Sequence, residues 1–290
     1  AFTSDISFLL LGFQNSQIIN ELLFVLFLLI YILTLFGNVL IITLVITVSA
    51  LRSPMYVLLS QLSVSDVLLS TSITPKALRL LLNGASSEFY LLTVMSYDRY
   101  LAICSPLHYV SIMDFRLCLY LSLCSWALAL ILSMALNLIT FNLQFCGPLF
   151  IDHYFCDFSP LIKLSCKGYK VVKLTQIILT IPFLLLPFSF VIFTYISIGL
   201  AILRISSNEG RHKAFSTCSS HLIVVCMYYG TLIIVYLVPS KEHNFNIDKM
   251  LSLLYTVVTP FLNPVIYSLR NNDIKVVLLK HMGELMGQIY

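Results

Sequence analysis

Charge is the scarcest thing in this chain. Only 10% of its 290 residues are Asp, Glu, Lys or Arg, against about a quarter in an ordinary soluble domain. With 59% of residues hydrophobic and a mean hydropathy of +0.95, polar groups are too few to cover a water-facing surface. A soluble globular protein is thereby excluded, and lipid is left as the solvent. The net charge of +4 is too small for a nucleic-acid binder, and no basic cluster interleaves with aromatics. No nucleic-acid partner is expected. Cysteine is absent from Ala1 through Ile103, and the eight that follow include no Cys-X-X-Cys pair, so a short-spaced zinc site is excluded. Tryptophan occurs once, at Trp126. The segment Ala1 to Asn20 lacks an initiating Met, an Asn-X-Ser/Thr sequon, and the basic start and cleavage site of a signal peptide. The natural chain is expected to start upstream of Ala1.

What is present is a succession of apolar runs. Crossing a bilayer takes roughly 20 apolar residues per helix. Seven runs qualify, and their helices are expected at approximately 22–48, 56–82, 86–107, 117–141, 171–203, 213–238 and 248–270. The third is the odd one, with an apolar core of only Phe89 to Cys104. No inverted or tandem repeat is visible, which speaks against transporter architectures. Beyond the last run, Ile274, Val277 and Leu278 fall on one helical face, with Lys275 and Lys280 elsewhere. That pattern predicts a short helix, 272–283, lying on the inner leaflet. The expected fold is an all-α membrane protein: one domain, 1–290, built as a seven-transmembrane helix bundle with a short interfacial C-terminal helix.

Orientation follows from two signals. Lys and Arg in short loops favour the inner side, but here nine basic residues fall on one side and eight on the other. The cysteines decide better. Cys146, Cys156 and Cys166 share one polar loop, and a bridged loop faces the oxidising side. A multi-pass plasma-membrane protein is expected, with its N-terminus outside and its C-terminus cytoplasmic.

Polar residues inside the apolar runs carry the most information, because each needs a partner away from lipid. Asn38 interrupts the first run and should face the bundle interior. Asp66 is the one acid in the second run. It is either a neutral, hydrogen-bonded carboxyl or part of a sodium site with Glu88. Glu88 lies eleven residues before Arg99, about three helical turns, which puts it level with Asp66. Pro264, beside Asn263, removes a hydrogen bond from the last long helix and loosens it there.

Four strings stand out in order. The first is Met95-Ser96-Tyr97-Asp98-Arg99-Tyr100-Leu101-Ala102-Ile103-Cys104. The second is the loop from Phe145-Cys146-Gly147-Pro148 through Cys156 to Ser165-Cys166. The third is Arg211-His212-Lys213-Ala214-Phe215-Ser216-Thr217-Cys218-Ser219-Ser220-His221-Leu222. The fourth runs from Pro260 through Asn263-Pro264 to Tyr267-Ser268-Leu269-Arg270. Together they resemble the odorant receptors among rhodopsin-like G-protein-coupled receptors, over nearly the whole chain. The resemblance implies that Asp98 holds Arg99 at rest, and that Arg99, beside Tyr100, meets the G protein when active. It implies that Tyr195 reaches toward Arg99, that Lys213 contacts the G protein, and that Asn263 bridges toward Asp66 while Tyr267 swings inward. It makes Asn38, Asp66, Glu88 and Asn263 a polar core with a sodium ion at Asp66 and Glu88. Cys146 would pair with Cys166, leaving Cys156 without its usual partner on the third helix. Trp126 would pack against the second and third helices.

By the same resemblance the ligand is a small volatile, mostly apolar odorant, and the partner a heterotrimeric G protein of the olfactory Gs type. A pocket for such a ligand needs aliphatic walls and one or two hydroxyls. Tyr229 and Tyr236 hold positions that face the ligand in the family, and helix register adds Leu179, Thr180, Phe183, Ile233 and Thr256. No other cofactor is implied. No nucleophile–base pair is present, so an enzyme is not expected.

The chain departs from the family in one place. Pro75-Lys76-Ala77-Leu78 matches the outer second helix, and Glu88 already matches the middle of the third. The first outer loop and two to three further turns of helix, roughly, have no room between them. Either Leu82 to Ser87 dives inward as an extended strand, or the second helix unwinds early. Rival readings are a receptor remnant that cannot signal, a non-odorant rhodopsin-like receptor, and a channel.

Overall fold

A computed structural model describes residues 9–10, 17–72, 84–141, 150–151, 165, 169–237, 250–270 and 274–280. Helices dominate. They are α1 (Gln17–Thr47), α2 (Pro54–Ser72), α3 (Gly84–Cys104), α4 (Pro106–Ile112), α5 (Phe115–Phe141), α6 (Tyr169–Leu203), α7 (Asn208–Leu237), α8 (250–270) and α9 (274–280). Seven of these have at least 19 residues. The non-helical pieces are a 3-10 turn, Ser49–Leu51, and two two-residue strands, β1 (Leu9–Leu10) and β2 (Phe150–Ile151). The strands pair in parallel, Leu9 with Phe150 and Leu10 with Ile151, tying the N-terminal segment to the long loop. The protein is an all-α membrane helix bundle.

Five helices are long and apolar enough to cross a membrane: Gln17–Thr47, Phe115–Ile139, Lys173–Leu203, Asn208–Val235 and Met250–Ser268. They ring the bundle and turn large apolar side chains outward, among them Phe24, Leu29 and Phe36 of α1 and Phe193 of α6. Lipid must cover these faces. The two remaining long helices, α2 and α3, lie inside. Leu58, Leu59, Leu62, Leu91 and Leu92 are buried with Ser63, Ser65, Asp66, Ser87 and Glu88. Helices that face protein rather than lipid can carry such groups. At the hub, α3 packs against α2, α4, α5, α6 and α7, while α1 closes on α2 and α8.

Helix ends follow local chemistry. Ser105 leaves helical geometry at φ −139° just before Pro106, which opens α4. The third helix therefore stops at Cys104, short of the expected 107. At its other end it begins at Gly84, so residues 84–87 are helical and not the extended strand considered above. Its 21 residues span about 31 Å, enough to cross a bilayer. Asp114 caps α5 by accepting from the Leu117 N–H at 2.7 Å. The hydroxyls of Thr34, Thr43, Ser122 and Thr231 donate to carbonyls one turn back, which hides them from lipid. In α9, Ile274 is buried and Val277 and Leu278 pack on the core, while Lys275 is exposed.

The approach of α1 to α8 has a residue-level cause. A Cβ at Gly37 of α1 would meet the Pro264 ring of α8 at 3.0 Å, whereas one at Gly199 would meet nothing within 4 Å. Gly37→Val should destabilise by about 1–3 kcal/mol, and Gly199→Ala should be neutral or slightly stabilising. Thermal unfolding of the purified variants in detergent checks both.

Candidate functional site

The polar centre is built outward from Pro264. Having no N–H, Pro264 leaves the carbonyl of Pro260, four residues back, without its helical donor. Asn38 of α1 supplies one: its Nδ2 donates to Pro260 O at 3.0 Å and to Thr34 O at 3.0 Å. One residue before the proline, Asn263 donates from Nδ2 to both Asp66 oxygens, at 2.9 and 3.2 Å. Ser65 and Ser87 share a hydrogen bond of 2.6 Å between α2 and α3. Each is the chain neighbour of an acid, so this bond sets Asp66 and Glu88 at one level. Glu88 comes close enough to Asp66 for the two carboxyls to act on each other. Neither of its oxygens meets hydrogen-bond geometry, however, and Asn38 Oδ1 and Asn263 Oδ1 are likewise buried without a donor. All four unpartnered atoms are acceptors. The residues proposed from sequence as the polar core are thus brought together, and oxygen acceptors alone suit a hard cation. Among the described residues no cluster of three or more His, Cys, Asp or Glu could hold a metal ion.

Next to this centre lies Tyr229 of α7. It is fully buried, and its hydroxyl donates to the carbonyl of Phe89 at 2.8 Å and lies 2.8 Å from Thr93 Oγ1. Phe188 stacks on it at 5.2 Å. Of the other pocket candidates, Leu179, Thr180, Phe183 and Ile233 are half-buried, and Thr180 Oγ1 has no partner. Thr256 is buried in a π-helical turn, Leu254–Val258, and donates to Ser252 O at 2.6 Å. The side chains of Tyr236 and Lys213 lie outside the described residues, as do Cys146, Cys156 and Cys166 and the disulfide expected among them.

At the other end of α3, Asp98 is buried and accepts a 2.8 Å hydrogen bond from Tyr109 of α4. That hydroxyl, rather than the Arg99 guanidinium, is the donor on Asp98, although the Arg99 charge acts on it. Burial, and then the Asp98 charge, push the Tyr109 phenol well above its ordinary range, so it remains a donor. Tyr195 of α6 does not bond Arg99 either. Its hydroxyl lies 2.5 Å from His221 Nδ1 of α7, with the rings stacked at 5.9 Å. Tyr100 joins the same cluster, against Phe193, Ile198 and Cys218. Tyr267 is buried with its hydroxyl unpartnered. Trp126 donates from Nε1 to Gln61 Oε1 of α2 at 3.2 Å, a structural tie.

Sequence reasoning missed Tyr109, His221 and Phe188. His221 stood inside the third string without a role. Tyr109 carried no signal, because its reach to Asp98 depends on the break between α3 and α4. Phe188 read as one apolar residue among many.

These features define an integral membrane helix bundle with a buried polar core at one level and an arginine-bearing cluster at another. Comparison with known proteins adds the family. An olfactory receptor family profile matches residues 27–91 and 87–284. Olfactory receptor 1E16 of Mus musculus is 44% identical, covering 93% of this chain and 92% of its own. Olfactory receptor 10A7 of Homo sapiens is 42% identical over 92% and 91%. Olfactory receptor 11L1 of Homo sapiens is 44% identical over 98% and 94%, with 303 aligned positions against 290 residues here. The chain belongs to the olfactory receptor family. The profile match comes in two pieces that meet at the start of α3, where the sequence departs from the family pattern.

Asn38→Leu would strand the Pro260 carbonyl in the bundle and should cost about 1–3 kcal/mol. Asn38→Asp, which keeps an oxygen but loses the donor, should not rescue it. Unfolding temperatures of the two variants check this.

Proposed function

We propose that this chain is an odorant-sensing G-protein-coupled receptor. A small, mostly apolar odorant binds within the bundle near Tyr229, Phe183, Ile233 and Thr256. Binding that favours one arrangement of helices over another is sufficient for signalling. In the resting arrangement Tyr195 is held by His221 and Asp98 by Tyr109. In the active one Arg99, Tyr195 and Tyr267 rearrange, and Arg99 and Lys213 meet a heterotrimeric G protein of the olfactory Gs type. The N-terminus is outside the plasma membrane and the C-terminus inside. Cys146 pairs with Cys166, and a sodium ion sits at Asp66 and Glu88, where the four unpartnered acceptors favour a cation.

One observation carries the reading. The Tyr195–His221 bond joins α6 to α7 beside Tyr100 and Arg99, so separating those helices must break it. A second reading, a receptor remnant that folds without signalling, draws on the two-piece match at α3. Odorant-evoked cAMP in cells expressing this chain, compared with a version carrying a full-length outer third helix, separates the two. Equal responses favour the receptor, and a response only from the restored chain favours the remnant.

In the receptor, Arg99→Ala should abolish evoked cAMP at unchanged surface level. Tyr109→Phe, which removes the donor from Asp98, should raise ligand-free cAMP several-fold, as expected for loss of a hydrogen bond to a charged group.

A further inference from the structure

An open groove runs down one face of α1, on the outside of the bundle. Its volume is about 680 Å³, and Gln17, Asn20, Glu21, Phe24 and Val25 line it. Spacings of three and four residues put these side chains on one helical face, and all five are exposed. The face changes character along its length. Amides and a carboxylate come first, then Phe24 and Val25, and Leu28 and Ile32 continue the apolar stripe, also exposed. The change from polar to apolar takes about 12 Å of helix.

Glu21 is the only charged residue among the 31 of α1. Gln17 steadies it, donating from Nε2 to Glu21 Oε1 at 3.1 Å. Among the described residues no Lys, Arg or His pairs with that carboxylate. The face therefore asks for a cation. Phe24, one turn further on, offers a ring to a cation that carries no N–H of its own. The second N–H of the Gln17 amide is left to donate to an anion. Below them the apolar stripe suits an alkyl chain. A soluble amine has no tail for that stripe, and a fatty acid brings charge of the wrong sign. A second copy of this chain packed face to face would bring another Glu21 to the same groove.

We infer that this face of α1 binds a choline phospholipid. The trimethylammonium lies against Glu21 and the Phe24 ring, the phosphate accepts from the Gln17 amide, and an acyl chain runs along Val25, Leu28 and Ile32. The inference needs the membrane bundle alone, with no odorant and no G protein, so its failure leaves the receptor reading untouched.

The test is native mass spectrometry of the purified full chain in detergent. Dioleoyl phosphatidylcholine, phosphatidylethanolamine or phosphatidylglycerol is titrated in, and the lipid retained on the protein is measured. The unaltered chain should retain phosphatidylcholine most tightly and phosphatidylglycerol least. Glu21→Gln should weaken phosphatidylcholine by about fivefold, the size of an exposed ion pair plus an exposed cation–ring contact. Glu21→Lys should reverse the order and favour phosphatidylglycerol. Phe24→Leu, which keeps the stripe apolar, should remove the preference for phosphatidylcholine over phosphatidylethanolamine. All these side chains are exposed, so the variants should fold, and the lipid order of the unaltered chain decides by itself if one does not. Equal retention of the three lipids overturns the proposal, because it leaves only unselective lipid. So does an unchanged phosphatidylcholine affinity in Glu21→Gln. No effect of Phe24→Leu overturns the choline assignment, and a dimer that Glu21→Lys dissociates shows that a second copy fills the groove instead.

Discussion

A backbone carbonyl freed by a proline has no water to turn to inside a bilayer, and much of this structure follows from that. Pro264 frees the oxygen of Pro260, and the Asn38 amide takes it. For Asn38 to arrive, α1 must press against α8, and that approach is open only because Gly37 has no side chain to meet the proline ring. The loosened helix then presents Asn263 to Asp66. A proline, a glycine and two amides act as one unit.

Around that unit the bundle divides labour between helices. The lipid-facing helices are apolar on the outside, and their Ser and Thr hydroxyls turn back on their own carbonyls. The interior helices α2 and α3 spend their polarity on each other, through Ser65 and Ser87. Because α3 packs against α2, α5, α6 and α7, it meets Tyr229, the acid pair and the cluster around Tyr195 alike. Tyr229 fastens to it near one end and Tyr109 near the other.

The polar core was legible in the sequence because a buried polar residue in an apolar run has few choices. Asn38, Asp66, Glu88 and Asn263 could only face inward, and helical rise set Glu88 level with Asp66. Partner choice was less legible. Asp98 and Tyr195 both neighbour Arg99, yet their hydrogen bonds go to Tyr109 and His221, since a phenol or an imidazole in reach satisfies them without desolvating a guanidinium further. Pro106 marks the break at Ser105, but nothing in the spacing encodes how α4 then brings Tyr109 to Asp98. The third helix was expected from residue 86 and starts at Gly84, so the extended alternative for residues up to Ser87 does not hold. A Gly-Ala-Ser-Ser stretch has weak helix preference, and within it Ser87 is tied to Ser65 of α2. The ring that stacks on Tyr229 was least legible of all, because helix register marks a face and cannot tell Phe188 from its apolar neighbours.

At 31 residues, α1 measures about 46 Å, well beyond the roughly 30 Å of a bilayer's hydrocarbon layer. It must lean or protrude, and the lean varies with the thickness of the host membrane. Its contact with α8 lies at Gly37 and Asn38, past its midpoint at about residue 32, so the longer N-terminal arm is free of that contact. A thicker bilayer needs less lean from a helix of this length, so membrane thickness and the packing of α1 on α8 are coupled through Gly37 and Asn38.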